Sequence, residues 1–275
     1  MHARCNRDGM GRVMKAEFFQ KGWGVFAPEA ATLNWARHAL GDAIDALHNP
    51  AFSQWHQCEN TWFVGLDVLS NDAQGCIAGS APLSGSAVDF IAEACGGWPA
   101  LHRGQVSGVF PGYPRPRAGE TEAGFRYRAK RDAAHVDGVL GVGTPKRRFV
   151  QEPHAFILGL PLTRADRDAA PLVVWEGSHR IMKNAFNKAF STTQATDLST
   201  VDVTEVYQSA RRAVFETCPR VIVHGPPGSA IVVHRLALHG VAPWAQGATA
   251  DPEGRLIAYF RPPIAGGVRA WIEMP

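Results

Sequence analysis

The chain has 275 residues, 45% of them hydrophobic and 19% charged, with a formal net charge of +3. This is an ordinary balance for a globular protein, long enough to bury a core without staples, and too weakly basic to point to nucleic acid. Cys5, Cys58, Cys76, Cys95 and Cys218 are dispersed and form no C-x-x-C pair. No apolar leader or long apolar run occurs either, so the expectation is a soluble, non-secreted cytoplasmic protein with free thiols and no membrane partner.

Residues 1–13 precede the more structured MKAEFFQKGWGVF, and the expectation is either a disordered leader or a misplaced start. Residues 14–275 are expected to form one domain, a helical part over about 14–104 packed on a β core over about 105–275. In PEAATLNWARHALGDAIDALHN, Leu33, Ala36, Leu40, Ile44 and Leu47 recur at helical spacing, with Pro28 near the start and Asn49-Pro50 at the close. SAVDFIAEAC, residues 86–95, predicts a second helix capped by Ser86 with Asp89 three positions on, and ended by Gly96-Gly97. Short β-rich runs follow: GFRYRAK, HAFILGLPL, PLVVW, RVIVH, SAIVVH, RLIAYF and GVRAWI. A helix over 203–218, stopped by Pro219, interrupts them. Strands without alternating helices predict a mainly β core with packed helices (α+β), as a sandwich, barrel or jelly roll, rather than a parallel α/β fold.

The candidate chemistry begins at RDAAHVDGVLG. On a strand, His135 and Asp137 project to the same face. An imidazole and a carboxylate are two thirds of a 2-His-1-carboxylate set, which leaves open positions on Fe(II) for a co-substrate and dioxygen. Such a pair also arises by chance, so a third ligand decides its meaning. His239 fits best, because the adjacent Gly240 allows close backbone approach. His234, at the end of the SAIVVH strand, and His179, in the turn WEGSHR, are the alternatives.

HVDG, PLVVWEGSHR, GSAIVVHRLALHG and GRLIAYF, in that order, resemble the phytanoyl-CoA dioxygenase-like group of Fe(II)/2-oxoglutarate oxygenases. FFQKGWGVF followed by a helix is similar to that family's opening, and the resemblance spans about residues 16–262. It implies a double-stranded β-helix (jelly roll, cupin-like) with N-terminal helices. It also implies Fe(II) on His135, Asp137 and His239, with 2-oxoglutarate and O2 as co-substrates. The implied reaction is hydroxylation of a small molecule with release of succinate and CO2. The chain departs from the family pattern at DAAP, where an acidic-Asn-Gly stretch is usual, and in a longer spacing from His239 to the next candidate arginine.

The far carboxylate of 2-oxoglutarate calls for a cation, and the planar fork of arginine suits it. Arg255 and Arg261 share a strand face, so alternation does not separate them. The resemblance favours Arg255, while Arg261, before two prolines, is expected to end the strand at the surface. FRYRAKRD, read as a strand, offers Tyr127 or Arg128 as a further contact to 2-oxoglutarate or substrate. The alternatives are a cupin-type metalloenzyme that does not use 2-oxoglutarate and a non-catalytic binding protein. Loops 111–124 and 138–153 have the length of lids. Their Arg115, Arg117, Lys146, Arg147 and Arg148 read either as solvated charge or as attraction for an anionic substrate.

Overall fold

The computed structural model describes residues 14–275, and the expected leader lies outside the described residues. In chain order the strands are β1 (Trp23–Phe26), β2 (His56–Gln57), β3 (Trp62–Gly65), β4 (Gln105–Val109), β5 (Val139–Val142), β6 (Arg147–Val150), β7 (Ile157–Pro161), β8 (Leu172–Trp175), β9 (Arg220–Val223), β10 (Ala230–Val233), β11 (His239–Val241) and β12 (Arg255–Phe260). Seven form an antiparallel sheet in the order β1-β10-β7-β12-β4-β3-β2, and β11-β8-β9 form a smaller one. β5 and β6 pair as a separate hairpin. Two facing sheets with this connectivity are the jelly roll expected of the β-rich half.

Strands β7, β8 and β10 are buried at every position, so they appear in the sequence as continuous apolar runs rather than alternations. Alternation still sorts their side chains. Leu158, Leu160, Val232, Ala258 and Phe260 point outward onto helix α1 (Ala30–His48), among Trp35, Ala36, Ala39 and Ala43. Ile157, Ile231, Val233 and Tyr259 point inward, between the sheets, where they meet Leu172 and Val174. The α1 contact face is rich in alanine, which brings the helix backbone close to the sheet. Leu40 and Ile44 sit at the margin of that face.

The segment expected to be helical also completes the large sheet, since β1 pairs with β10 and β3 with β4. Helix α2 (Ser86–Cys95) ends at Gly96 in the left-handed region, as expected. Its start differs from expectation. Ser86 is the first helical residue, and its N–H donates to Glu29 Oε2 at 2.8 Å, so a carboxylate from elsewhere in the chain serves as the cap.

Two runs predicted as strands are helices. GFRYRAK lies in α3 (Glu122–Lys130), where Thr121 Oγ1 accepts from Gly124 N–H at 3.1 Å and Arg128 and Lys130 lie in the last turn. Its period-two pattern had no consequence because none of its residues is buried. GVRAWI lies in α6 (Gly267–Glu273), which buries Val268, Trp271 and Ile272 at helical spacing. Helix α4 (Ser178–Ser191) was not anticipated, although Ser178, Met182, Phe186 and Phe190 recur every fourth residue on its buried face. α5 (Thr204–Thr217) matches the predicted helix and packs on α4. No helix among the described residues is long and apolar enough to cross a membrane. The four described cysteines are unpaired.

Arg128, on α3, grips Glu120 through Nε and Nη2, both at 2.8 Å. The hydrogen bonds from Arg128 hold the Glu120 carboxyl down at about 2, against about 4.3 in an unfolded chain. A folded pKa below the unfolded one stabilises above about pH 4.3 and loses that contribution as pH falls towards about 2. Glu120→Gln is therefore expected to lower the urea midpoint near neutral pH, with the gap to wild type closing on acidification. A gap independent of pH would show that the ion pair contributes nothing.

Candidate metal centre

One antiparallel bridge organises the site. His135 N–H donates to His239 O at 2.8 Å and His239 N–H donates to His135 O at 3.0 Å. Directly opposed residues in such a pair turn their side chains to the same face, and the two ring centroids lie 4.7 Å apart. His135 is held by this single bridge rather than within a strand, yet the expected alternation follows. Val136 turns away into the core beneath α4 and α5, its N–H donating to the Tyr207 hydroxyl at 3.2 Å. Asp137 returns to the side of His135.

Close backbone approach makes the bridge possible. A Cβ on Gly240 would lie 2.1 Å from Asp132 O, so only glycine lets β11 run this near residues 132–134. Val241 N–H donates to the same Asp132 carbonyl at 2.8 Å. The Asp132 carboxylate is clamped by Arg220 Nε and Nη2 at 2.7 and 3.0 Å, which anchors the segment from its other side.

His135 Nε2 lies 3.1 Å from Asp137 Oδ1, and His239 Nε2 lies 3.7 Å from Asp137 Oδ2. The candidate ligand atoms of the three residues fall within 4.8 Å of one another. Each Nδ1 faces a carbonyl, His135 to Ala133 O at 3.0 Å and His239 to Ala237 O at 2.9 Å. A carbonyl only accepts, so both Nδ1 atoms carry the hydrogen. In the neutral ring each Nε2 then presents a lone pair to a carboxylate, an arrangement that needs a cation between them. Burial pushes the His239 pKa down to about 4 against the pull of Asp137, so this ring is neutral near pH 7. Burial alone would raise Asp137, but Arg261, then His239 and His135, hold it well below the usual carboxylate range. Two imidazole nitrogens, one carboxylate and carbonyl bonds that fix both tautomers fit a divalent transition metal.

The three side chains open into a cavity of about 160 Å³ between the two sheets, walled by Trp62, Ile157, Leu172, Val233 and Tyr259. Arg261 lines it too. Rather than ending at the surface as expected, it turns inward, with Nη1 3.3 Å from Asp137 Oδ2 and Nη2 donating to Gln105 Oε1. Arg255 lies on the same face of β12, deeper in the roll, beside a small cavity walled by Pro161, Pro171 and Ile231. Arg255 is 5% exposed, and neither Nη1 nor Nη2 has a hydrogen-bond partner among the described residues. Burial pushes its pKa down, and the neighbouring Tyr259 opposes that shift.

The other candidates fall elsewhere. His179 and His234 pack against each other, 4.7 Å between centroids, with His179 Nε2 on Phe19 O at 3.0 Å and His234 Nδ1 accepting from Leu236 N–H at 3.1 Å. Tyr127 is 53% exposed on α3. It and Arg128 line an outer vestibule rather than the inner cavity. Gln105 and Ser107 of β4 also line the inner cavity and were not anticipated. Two polar residues alternating with Val106 and Gly108 in a strand buried at every position were the available signal.

No protein-family model matches the sequence, and no characterised protein matches it in sequence. Solved structures do resemble it in fold. The epimerase SnoN, in complex with Fe3+, alpha ketoglutarate and nogalamycin RO, aligns with a TM-score of 0.51 at 12% identity, over 93% of this chain and 84% of that chain. EctD from S. alaskensis, with 2-oxoglutarate and 5-hydroxyectoine, aligns at 0.47 and 15% identity over 90% of this chain and 74% of that one. The non-heme alpha ketoglutarate-dependent carbocyclase SnoK, from nogalamycin biosynthesis, aligns at 0.45 and 11% identity over 94% and 87%. The likeness to SnoN establishes a shared fold.

Because the bridge depends on Gly240, Gly240→Ala is expected to push residues 132–135 away from β11. Calorimetric titration of Mn(II) should then show affinity reduced about tenfold or more, the range seen when support behind a ligand is lost. Unchanged affinity would mean that the close approach does not position the ligands.

Proposed function

We propose that this protein is an Fe(II)- and 2-oxoglutarate-dependent oxygenase that hydroxylates a small molecule. One observation carries the reading: a two-histidine, one-carboxylate cluster with fixed tautomers shares an interior face with a buried arginine whose terminal nitrogens have no hydrogen-bond partner among the described residues. A lone buried guanidinium costs several kcal/mol unless an anion compensates it. A dicarboxylate reaching from the cluster into the roll would supply that anion. The fold shared with SnoN, crystallised with Fe3+ and alpha ketoglutarate, supports the same reading.

His135 Nε2, Asp137 and His239 Nε2 would hold the iron. Bound there, Fe(II) supplies activation of dioxygen, coupled to conversion of 2-oxoglutarate to succinate and CO2, and one oxygen atom is placed on the substrate. The remaining tasks belong to the chain. Arg255 takes the far carboxylate of 2-oxoglutarate by a charge-assisted fork, and Tyr259 packs beside it. Arg261 keeps Asp137 ionised and fixes its orientation, and Gln105 in turn orients Arg261. Trp62, Ile157, Leu172 and Val233 exclude water from the inner cavity. Tyr127 and Arg128, on the vestibule wall, would meet substrate rather than 2-oxoglutarate.

Incubation with Fe(II), 2-oxoglutarate and dioxygen is expected to release succinate. His135→Ala, Asp137→Ala and His239→Ala should each reduce it to background. Arg255→Gln should raise the KM for 2-oxoglutarate at least about tenfold, since a charged hydrogen bond contributes about 1.5–3 kcal/mol. A metalloenzyme that does not use 2-oxoglutarate would release no succinate under any of these conditions, and that outcome would overturn the proposal.

A further inference from the structure

The inner cavity opens outward, past His135, Asp137 and Arg261, into a vestibule of about 420 Å³. That volume suits a small organic molecule. The His135 side chain is 46% exposed, so the metal side of the site faces this space. The walls of the vestibule are strongly basic. Arg117, Arg128, Arg131, Arg148, Arg211 and Arg261 line it, against only Asp137 and Glu152.

Two of the six guanidiniums are neutralised within the protein, Arg128 by Glu120 and Arg261 by Asp137. Arg117, Arg131, Arg148 and Arg211 make no ion pair among the described residues. Glu152 is an exposed carboxylate 3.7 Å from His154. Three of the four are instead stacked in sequence along two aromatic rings of α5. The Arg148 and Arg211 guanidinium carbons lie 5.3 and 5.5 Å from the Tyr207 centroid. Arg211 and Arg131 lie 5.4 and 4.2 Å from that of Phe215.

Ring faces hold guanidiniums in place and leave their N–H edges free to donate. One nitrogen of each inner pair member is taken by backbone, Arg211 Nη2 by Ala134 O at 2.8 Å and Arg148 Nη1 by Val139 O at 3.3 Å, while Arg211 Nη1 and Arg148 Nη2 have no acceptor among the described residues. Cations gathered this closely repel one another unless an anion lies among them.

Resting on the oxygenase reading, we infer that the substrate is an organic oxyanion, a carboxylate or a phosphoryl ester. Its charged group docks between Arg148 and Arg211, with its reacting carbon beside His135. Arg131 and Arg117 add attraction at the rim. Of the basic loop residues singled out in the sequence, Arg117 and Arg148 belong to this wall. Arg147 is taken by Asp202.

The test is calorimetric titration of the full-length, metal-free protein with phenyl phosphate, benzoate and benzyl alcohol. At least one anion is expected to bind tenfold or more tightly than the alcohol. Its affinity should fall tenfold or more in Arg148→Gln and in Arg211→Lys, and stay at wild-type level in Arg269→Gln, which alters an exposed arginine on α6. Which anion binds distinguishes carboxylate from phosphoryl recognition. Matched thermal midpoints for Arg148→Gln and wild type would separate lost recognition from lost folding. Equal binding of anions and alcohol, absence of anion binding, or anion affinity indifferent to Arg148→Gln would overturn the inference. Because no iron is present, this outcome is independent of succinate release, and either reading can fail alone.

Discussion

The pair of backbone hydrogen bonds between His135 and His239 is the constraint on which the centre depends. The two residues are 104 positions apart in the chain and belong to a loop and to the smaller sheet. Two bonds of 2.8 and 3.0 Å turn their side chains to the same face, and the carbonyls of Ala133 and Ala237 then fix each ring in one tautomer. Asp137 follows by alternation alone. The bridge in turn depends on the missing side chain of Gly240 and on the clamp between Arg220 and Asp132. A candidate ligand set that looks like three independent residues is therefore one piece of backbone geometry.

Strand β12 carries the second element of the design. Its inward face bears Arg255, Ile257 and Tyr259, and Arg261 follows one residue beyond its end, so a guanidinium stands on either side of an apolar and aromatic stretch. The two arginines stand in opposite electrostatic situations. Arg261 is matched by Asp137 and Gln105, whereas Arg255 is buried with its terminal nitrogens unmatched. Folding tolerates the matched charge readily. The unmatched one is a standing cost that a bound carboxylate would remove, which under the proposed function would tie the fold of the roll to 2-oxoglutarate. The outer vestibule repeats that logic, with aromatic rings of α5 holding guanidiniums that no carboxylate among the described residues neutralises.

Much of the β core was legible because its strands are apolar runs bounded by glycine and proline, and burial on both faces leaves that pattern intact. The convergence of His135 and Asp137 was legible from their spacing, and that of His239 from the glycine beside it. The misreadings have local causes. In FRYRAK an exposed helix carries a period-two pattern with nothing buried to enforce it, so the Thr121 cap was the better signal. GVRAWI is too short to separate period two from the helical spacing of Val268, Trp271 and Ile272. The α4 helix was hidden behind the turn-like WEGSHR at its start. The vestibule was legible only in part: Arg117, Tyr127, Arg128 and Arg148 stood out in the sequence, but Arg131 and Arg211 come from separate segments that only the fold brings beside them.

The proposed chemistry depends most directly on where a metal and 2-oxoglutarate bind. A crystal structure of the protein prepared without oxygen, with Fe(II) and 2-oxoglutarate, addresses both at once. The expected result is iron coordinated by His135 Nε2, Asp137 and His239 Nε2, with the far carboxylate of 2-oxoglutarate on Arg255. Iron on His179 and His234, or a carboxylate on Arg261 with Arg255 left unpartnered, would contradict it.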